Sequence, residues 1–214
     1  MIYSITRTAA AALAFFALGT GCVSPERKPA VTAISSLADT RSELVAGKTD
    51  IDDALVAIGE LEARPANLTP PYNRYKDAVA AVGRRARAVS ERVQDMRLRS
   101  ADYRASWSQE NAQITDATVR ATAEERRERV ASRYDSIDRD AQALRAAYDP
   151  FITKLRDLQT VLANDLTYPG IQSAKPAFDD IRVTATSLRS KVDAVVANID
   201  ESTMRLAPST KPTN

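Results

Sequence analysis

Cys22 is the only cysteine of the 214-residue chain, and the residues before it suit chemistry at its sulfur. Arg7 supplies a positive charge, Thr8 to Leu18 is an uncharged run of mostly alanine, leucine and phenylalanine, and Gly19, Thr20 and Gly21 lead to the thiol. A basic start, an apolar stretch and small residues before a cut site have the form of a secretory signal peptide, here residues 1–21. A cysteine exposed as a new N-terminus can carry a lipid on sulfur through a thioether. Cys22 is therefore the lipidation candidate.

The other residue types offer less chemistry. The chain has no histidine, so it lacks the commonest general base and the commonest transition-metal ligand. Asp50-Ile51-Asp52-Asp53 is acidic but lacks the twelve-residue loop and closing glutamate of a calcium hand, and a solvated helix face explains it better. No nucleophile–base set, phosphate loop or metal cluster is evident, so the sequence predicts no enzyme: no catalytic residue, no cofactor-binding residue and no metal ligand. A net charge of +2 is far from the basic excess of a nucleic-acid binder. One basic cluster stands out as a candidate contact with a membrane or a partner: Arg120, Arg126, Arg127 and Arg129, interleaved with Glu124, Glu125 and Glu128.

The small residues ending at Cys22 resemble the bacterial lipobox, in which the cysteine is lipidated and becomes the mature N-terminus. Here Gly19 holds the usual leucine position and Leu18 lies one residue earlier. Ordinary cleavage after Gly19 or Gly21 is the bland alternative, and it would leave a free thiol in an oxidising compartment. A retained anchor is the third, although the uncharged stretch from Thr8 to Ser24 is short of the roughly 20 residues of a span. Residues 22–30, with Pro25 and Pro29, read as a tether reaching roughly 25 Å. Valine after Cys22 implies, by the enterobacterial lipoprotein sorting rule, an outer-membrane location facing the periplasm.

The elements that follow are helices. Between Tyr75 and Leu162 apolar residues recur in alternating steps of three and four, the mark of a coiled-coil seam. Thr115-Asp116 interrupts it as a turn and cap. Folding the chain back there sets Val93 against Ile137, Val89 against Ala141, Ala86 against Leu144 and Val82 against Tyr148. Towards the turn the seam becomes polar, with Glu110 expected to face Arg120 and Arg127 to lie by Tyr103 and Trp107. A first helix over about 30–63 carries Leu37, Leu44, Ile51 and Ile58 at heptad spacing, with a soft spot at Gly47. The second begins with Thr69 as cap and Pro70 in the first turn. The third, about 117–165, contains Pro150 and should kink near Ala146 to Pro150. After a loop at 166–171 the fourth carries Phe178, Ile181, Leu188, Val192 and Ile199.

The prediction is therefore all-α: an elongated antiparallel four-helix bundle over 31–206, dominated by a long central hairpin, with a disordered tail at 207–214. Residues 30–63 hold two basic against seven acidic residues, and residues 70–114 nine basic against five acidic, which suits an antiparallel first pair. The longer middle helices should project the 115–116 turn past the start of the first helix by roughly 15 Å.

Taken with Cys22, the residues Arg74-Tyr75, Trp107, Arg133-Tyr134, Asp149-Pro150-Phe151 and Leu155-Arg156-Asp157 resemble a bacterial family of predicted lipoproteins and secreted helical proteins filed as a domain of unknown function. The resemblance runs from about Leu37 to Ile199 and implies a periplasmic helical bundle with no catalytic residue assigned. The leading expectation is a non-enzymatic, lipid-anchored envelope scaffold or adaptor. It would hold the membrane through its N-terminal lipid and bind an envelope protein, with self-association open and no nucleic acid. The alternative is an envelope protein that binds lipid or another amphiphile in its apolar seam.

Overall fold

The computed structural model describes residues 28–206; Cys22, the targeting segment and the tail at 207–214 lie outside them. The described residues form five helices and no strand: α1 (Lys28–Glu62), α2 (Thr69–Ala112), α3 (Ala117–Asn164), α4 (Tyr168–Ser173) and α5 (Lys175–Leu206). At 1.5 Å per residue the middle pair are about 66 and 72 Å long and the outer pair about 52 and 48 Å.

The apolar periodicity accounts for the core. Leu37, Leu44, Ile51 and Ile58 of α1 are buried, with Thr40, Ala54 and Leu61 between them. Val130, Tyr134, Ile137, Ala141, Leu144, Tyr148 and Phe151 of α3 are buried in the expected order, as are Phe178, Ile181, Ala185, Leu188, Val192, Val195 and Ile199 of α5. α1 is continuous through Gly47.

Polar contacts between helices fix direction. From α1 to α2, Glu43 meets Arg85 and Glu60 meets Arg74, so one number rises as the other falls and the helices run oppositely. Tyr75 donates to the Leu155 carbonyl at 2.7 Å and Arg97 pairs with Asp138, so α2 and α3 do the same, in the register read from the seam. Lys154 with Asp180 and Arg133 with Glu201 align α3 with α5; Arg41 with Asp200 and Lys48 with Asp193 align α1 with α5. These pairs are mostly exposed and contribute a few tenths of a kcal/mol each, which serves partner choice more than stability. The acidic α1 thus pairs with the basic α2, as its charge suggested, and also with α5.

Three local expectations are corrected. The N-cap position of α2 is Leu68, with no side-chain cap, and Thr69 is already the first helical residue; the turn before it is held by Asn67, whose side-chain oxygen accepts from the Thr69 amide at 2.9 Å. The stretch after α3 is not simply a loop: Thr167 accepts from the Gly170 amide and starts the short α4, with Pro169 in its first turn. Gly170 is required there, since a Cβ would lie 2.3 Å from the Asp165 carbonyl oxygen. α3 runs on through Pro150; Pro150 and Ala146 face solvent, where water can take the carbonyl that proline leaves without a donor. Finally, α2 does not close fully on α3.

Candidate functional site: the hairpin tip and the open seam

The α2–α3 turn is built by local chemistry. The Gln113 and Ile114 amides donate back to Glu110 and Asn111, and the Asp116 side chain accepts from the Thr118 and Val119 amides. That caps α3 as the Thr-Asp signal predicted. Thr40 of α1 donates to the Arg92 carbonyl of α2 at 3.3 Å, so the start of α1 lies near Arg104. α2 continues for about eight residues, or about 12 Å, beyond that level. Arg126 donates to the Arg205 carbonyl at 3.0 Å, so α5 ends about nine residues along from the start of α3. The hairpin tip therefore overhangs both neighbours on the side where α1 begins and α5 ends.

Of the four candidate arginines, Arg120 lies on this overhang and Arg126 at its edge, while Arg127 and Arg129 lie just beyond it; the side chains are largely engaged within the protein. Arg127 bonds Glu124, and that guanidinium holds the Glu124 carboxyl below its usual range. Arg129 pairs with Glu125. Arg120 donates to the Ile114 carbonyl at 3.4 Å. The expected contacts of Glu110 with Arg120 and of Arg127 with the aromatic pair do not form. Glu110 accepts from Ser106, and Arg126 is the cation whose charge acts on the Tyr103 phenol. Tyr103 and Trp107 stack at 5.4 Å and are partly buried against the core, a structural role. The seam does become polar in this half: Ser100, Tyr134 and Ser202 are buried with hydroxyls that meet no partner among the described residues.

The feature the periodicity did not reveal is a groove of about 910 Å³ between α2 and α3. Ala141, Leu144 and Tyr148 of α3 are buried, yet Ala86, Val89 and Val93 of α2 are only half-buried. The physical reason is side-chain size. α2 presents Gly83, Ala86, Val89 and Ser90 here, too short to fill the space up to α3. From Gly83 to Leu98 the groove is about 22 Å long. Its floor is apolar. Arg87, Glu91, Arg145 and Asp149 line its edges, and Leu98, 56% exposed, stands at one end.

Tyr148 passes under this floor to the opposite helix, where its hydroxyl donates to the Gly47 carbonyl at 3.4 Å. Burial pushes its pKa up to about 12, so it remains a donor at neutral pH. A Cβ at Gly47 would sit 3.0 Å from that hydroxyl and 3.3 Å from Cγ of Arg85. Gly47→Ala gains roughly 1 kcal/mol of helix propensity and loses it against the crowding. In the Tyr148→Phe background the tightest contact is gone. There Gly47→Ala should be more favourable by about 1 kcal/mol than in the wild type. A double-mutant cycle of thermal melts reads the difference; equal effects in both backgrounds would remove the hydroxyl as the constraint.

Asp50 and Asp52, the acidic cluster of α1, are occupied by ion pairs with Arg85 and Arg189. Among the described residues no helix is long and apolar enough to cross a membrane.

The described residues thus form an all-α unit with a projecting hairpin and an open apolar seam. The family model described as "Protein of unknown function (DUF2959)" matches residues 27–206, and the chain belongs to that family. Neither the search of curated proteins nor that of solved structures found a match.

Proposed function

We propose that the chain is a non-enzymatic, lipid-anchored scaffold or adaptor of the bacterial cell envelope. Residues 1–21 would direct export and be removed, Cys22 would carry the lipid, and 22–30 would tether the bundle at the outer membrane, facing the periplasm. Residues 31–206, an elongated antiparallel four-helix bundle built on the α2–α3 hairpin, would present helical faces to an envelope protein, with 207–214 as a tail. The observation that carries this reading is the shared end: the start of α1, the end of α5 and the overhanging α2–α3 turn lie together, while the 63–68 and 165–174 connections lie at the other. A tether anchored before Lys28 then sets the hairpin tip towards the bilayer and the rest of the bundle away from it.

Arg120, Arg126, Arg127 and Arg129 would lie within reach of anionic head groups, where an unneutralised basic residue contributes about 1 kcal/mol. Their engagement with Glu124, Glu125 and backbone carbonyls makes the expected contact weak and salt-sensitive. A second reading, binding of a lipid or other amphiphile, is favoured by the apolar floor of the α2–α3 groove. To test the orientation, spin labels are placed on liposome-anchored protein at the exposed positions Thr118 and Asn67. The label at 118 should sense the head-group region and the one at 67 should not. A membrane-proximal label at 67 would reverse the proposed orientation.

A further inference from the structure

Tyr134 precedes Tyr148 by two heptads on α3, and Ala33 precedes Gly47 by two heptads on α1. The two tyrosines therefore face α1 in the same way, yet only Tyr148 finds a bond there. At Gly47 the missing Cβ lets the phenol approach the helix backbone. At Ala33 a methyl group stands in that place, and the Ala33 carbonyl already accepts from Ser36 at 2.7 Å. The Tyr134 hydroxyl is thus left in the core, where the residue is 2% exposed. Two more hydroxyls lie near its level. Arg97 with Asp138 places Ser100 of α2 within about one turn of it, and Arg133 with Glu201 does the same for Ser202 of α5. Both serines are buried, and neither hydroxyl bonds back to its own helix. Those of Ser36, Thr40, Thr160 and Thr186 do, each to a carbonyl three or four residues earlier.

We propose that Tyr134, Ser100 and Ser202 bind an internal water in the core of the bundle. A buried water typically makes about three hydrogen bonds to polar groups that lack other partners, and three hydroxyls from three helices supply that number. The Tyr134 phenol donates to the water oxygen; burial pushes its pKa up, so it keeps its proton at neutral pH. The water's two hydrogens and second lone pair serve the serine hydroxyls, each of which can accept or donate. The neighbouring core positions Leu37, Met96, Val130 and Ile199 are buried and apolar, which keeps the site from bulk solvent. Ser202 lies four residues before the end of α5, so the water ties the last turn of that helix to the hairpin. The site depends on the core and not on the lipid anchor or the envelope location.

The experiment uses the full-length chain and its Tyr134→Phe, Ser202→Ala and doubly substituted forms. Oxygen-17 relaxation dispersion of the solvent reports long-lived internal waters and is blind to exchanging hydroxyl hydrogens. The wild-type signal should fall in Tyr134→Phe, and Ser202→Ala should lower it no further in that background. In thermal melts Tyr134→Phe should lower the midpoint by about 2–4 °C, the shift expected for one lost hydrogen bond in a chain of this size. Ser202→Ala should then be less costly in the Tyr134→Phe background than in the wild type by about the same shift; helix propensity is common to both comparisons and cancels. Cooperative melting of every form checks that the fold is kept. Hydroxyls that hold no water would behave in the opposite way: removing the Tyr134 hydroxyl would raise the midpoint, the two changes would add, and the dispersion would not move. Any of these results would overturn the proposal.

Discussion

Replacing Phe151 by alanine is expected to lower the stability of the bundle by about 3–5 kcal/mol, the usual cost of deleting a fully buried aromatic side chain. Phe151 is fully buried on α3, in the same core as α1, α2 and α5. Removing its ring takes away apolar area and leaves a cavity that four long helices, each held along its length, cannot easily collapse to fill. A domain of ordinary stability has only about 5–15 kcal/mol in total, so the urea midpoint should fall by a large fraction. Arg139→Ala, on the exposed face of the same helix, should cost less than about 0.5 kcal/mol. Equal losses at the two positions would mean that the inward face of α3 has been misassigned.

That inward face was legible in the sequence because α3 and α5 repeat their apolar residues without interruption. The cap at Asp116 was legible because it is local: one side chain and the two amides after it. The position of the cap before α2 was misread by one residue: Leu68 holds it without a side-chain cap, and Thr69 is already helical. The groove was missed for a different reason. Periodicity reports which face of α2 points inward, and Ala86, Val89 and Val93 do point inward; it does not report how near α3 comes. The signal that would have shown the gap is volume, in the run of Gly83, Ala86 and Ser90 on a single face.

The tip arginines were legible as residues, and so was their pairing. Glu124 with Arg127 and Glu125 with Arg129 stand three and four apart, spacing that already predicts pairing within the helix. The projection of the tip itself is as expected. The overhang of about 12 Å agrees with the roughly 15 Å expected from helix lengths alone, because helical rise and an antiparallel turn leave little freedom. The proposal that this end faces a membrane rests on Cys22, which lies outside the described residues and whose case is chemical.

The second large effect is expected there. An apolar run closed by Gly19, Thr20 and Gly21 brings the chain's only thiol to the proposed cut site. Serine keeps the size and polarity of that side chain but cannot form the thioether, so Cys22→Ser should remove the anchor while leaving residues 28–206 and their core unchanged. Attachment through acyl chains gains about 0.8 kcal/mol per buried CH₂, so loss of the proposed attachment should be close to complete. Metabolic labelling with a fatty acid tests this most directly: the wild-type chain should take up label and sediment with membranes, and Cys22→Ser should do neither. Equal labelling of the two chains, or none in either, would contradict the lipid-anchored reading.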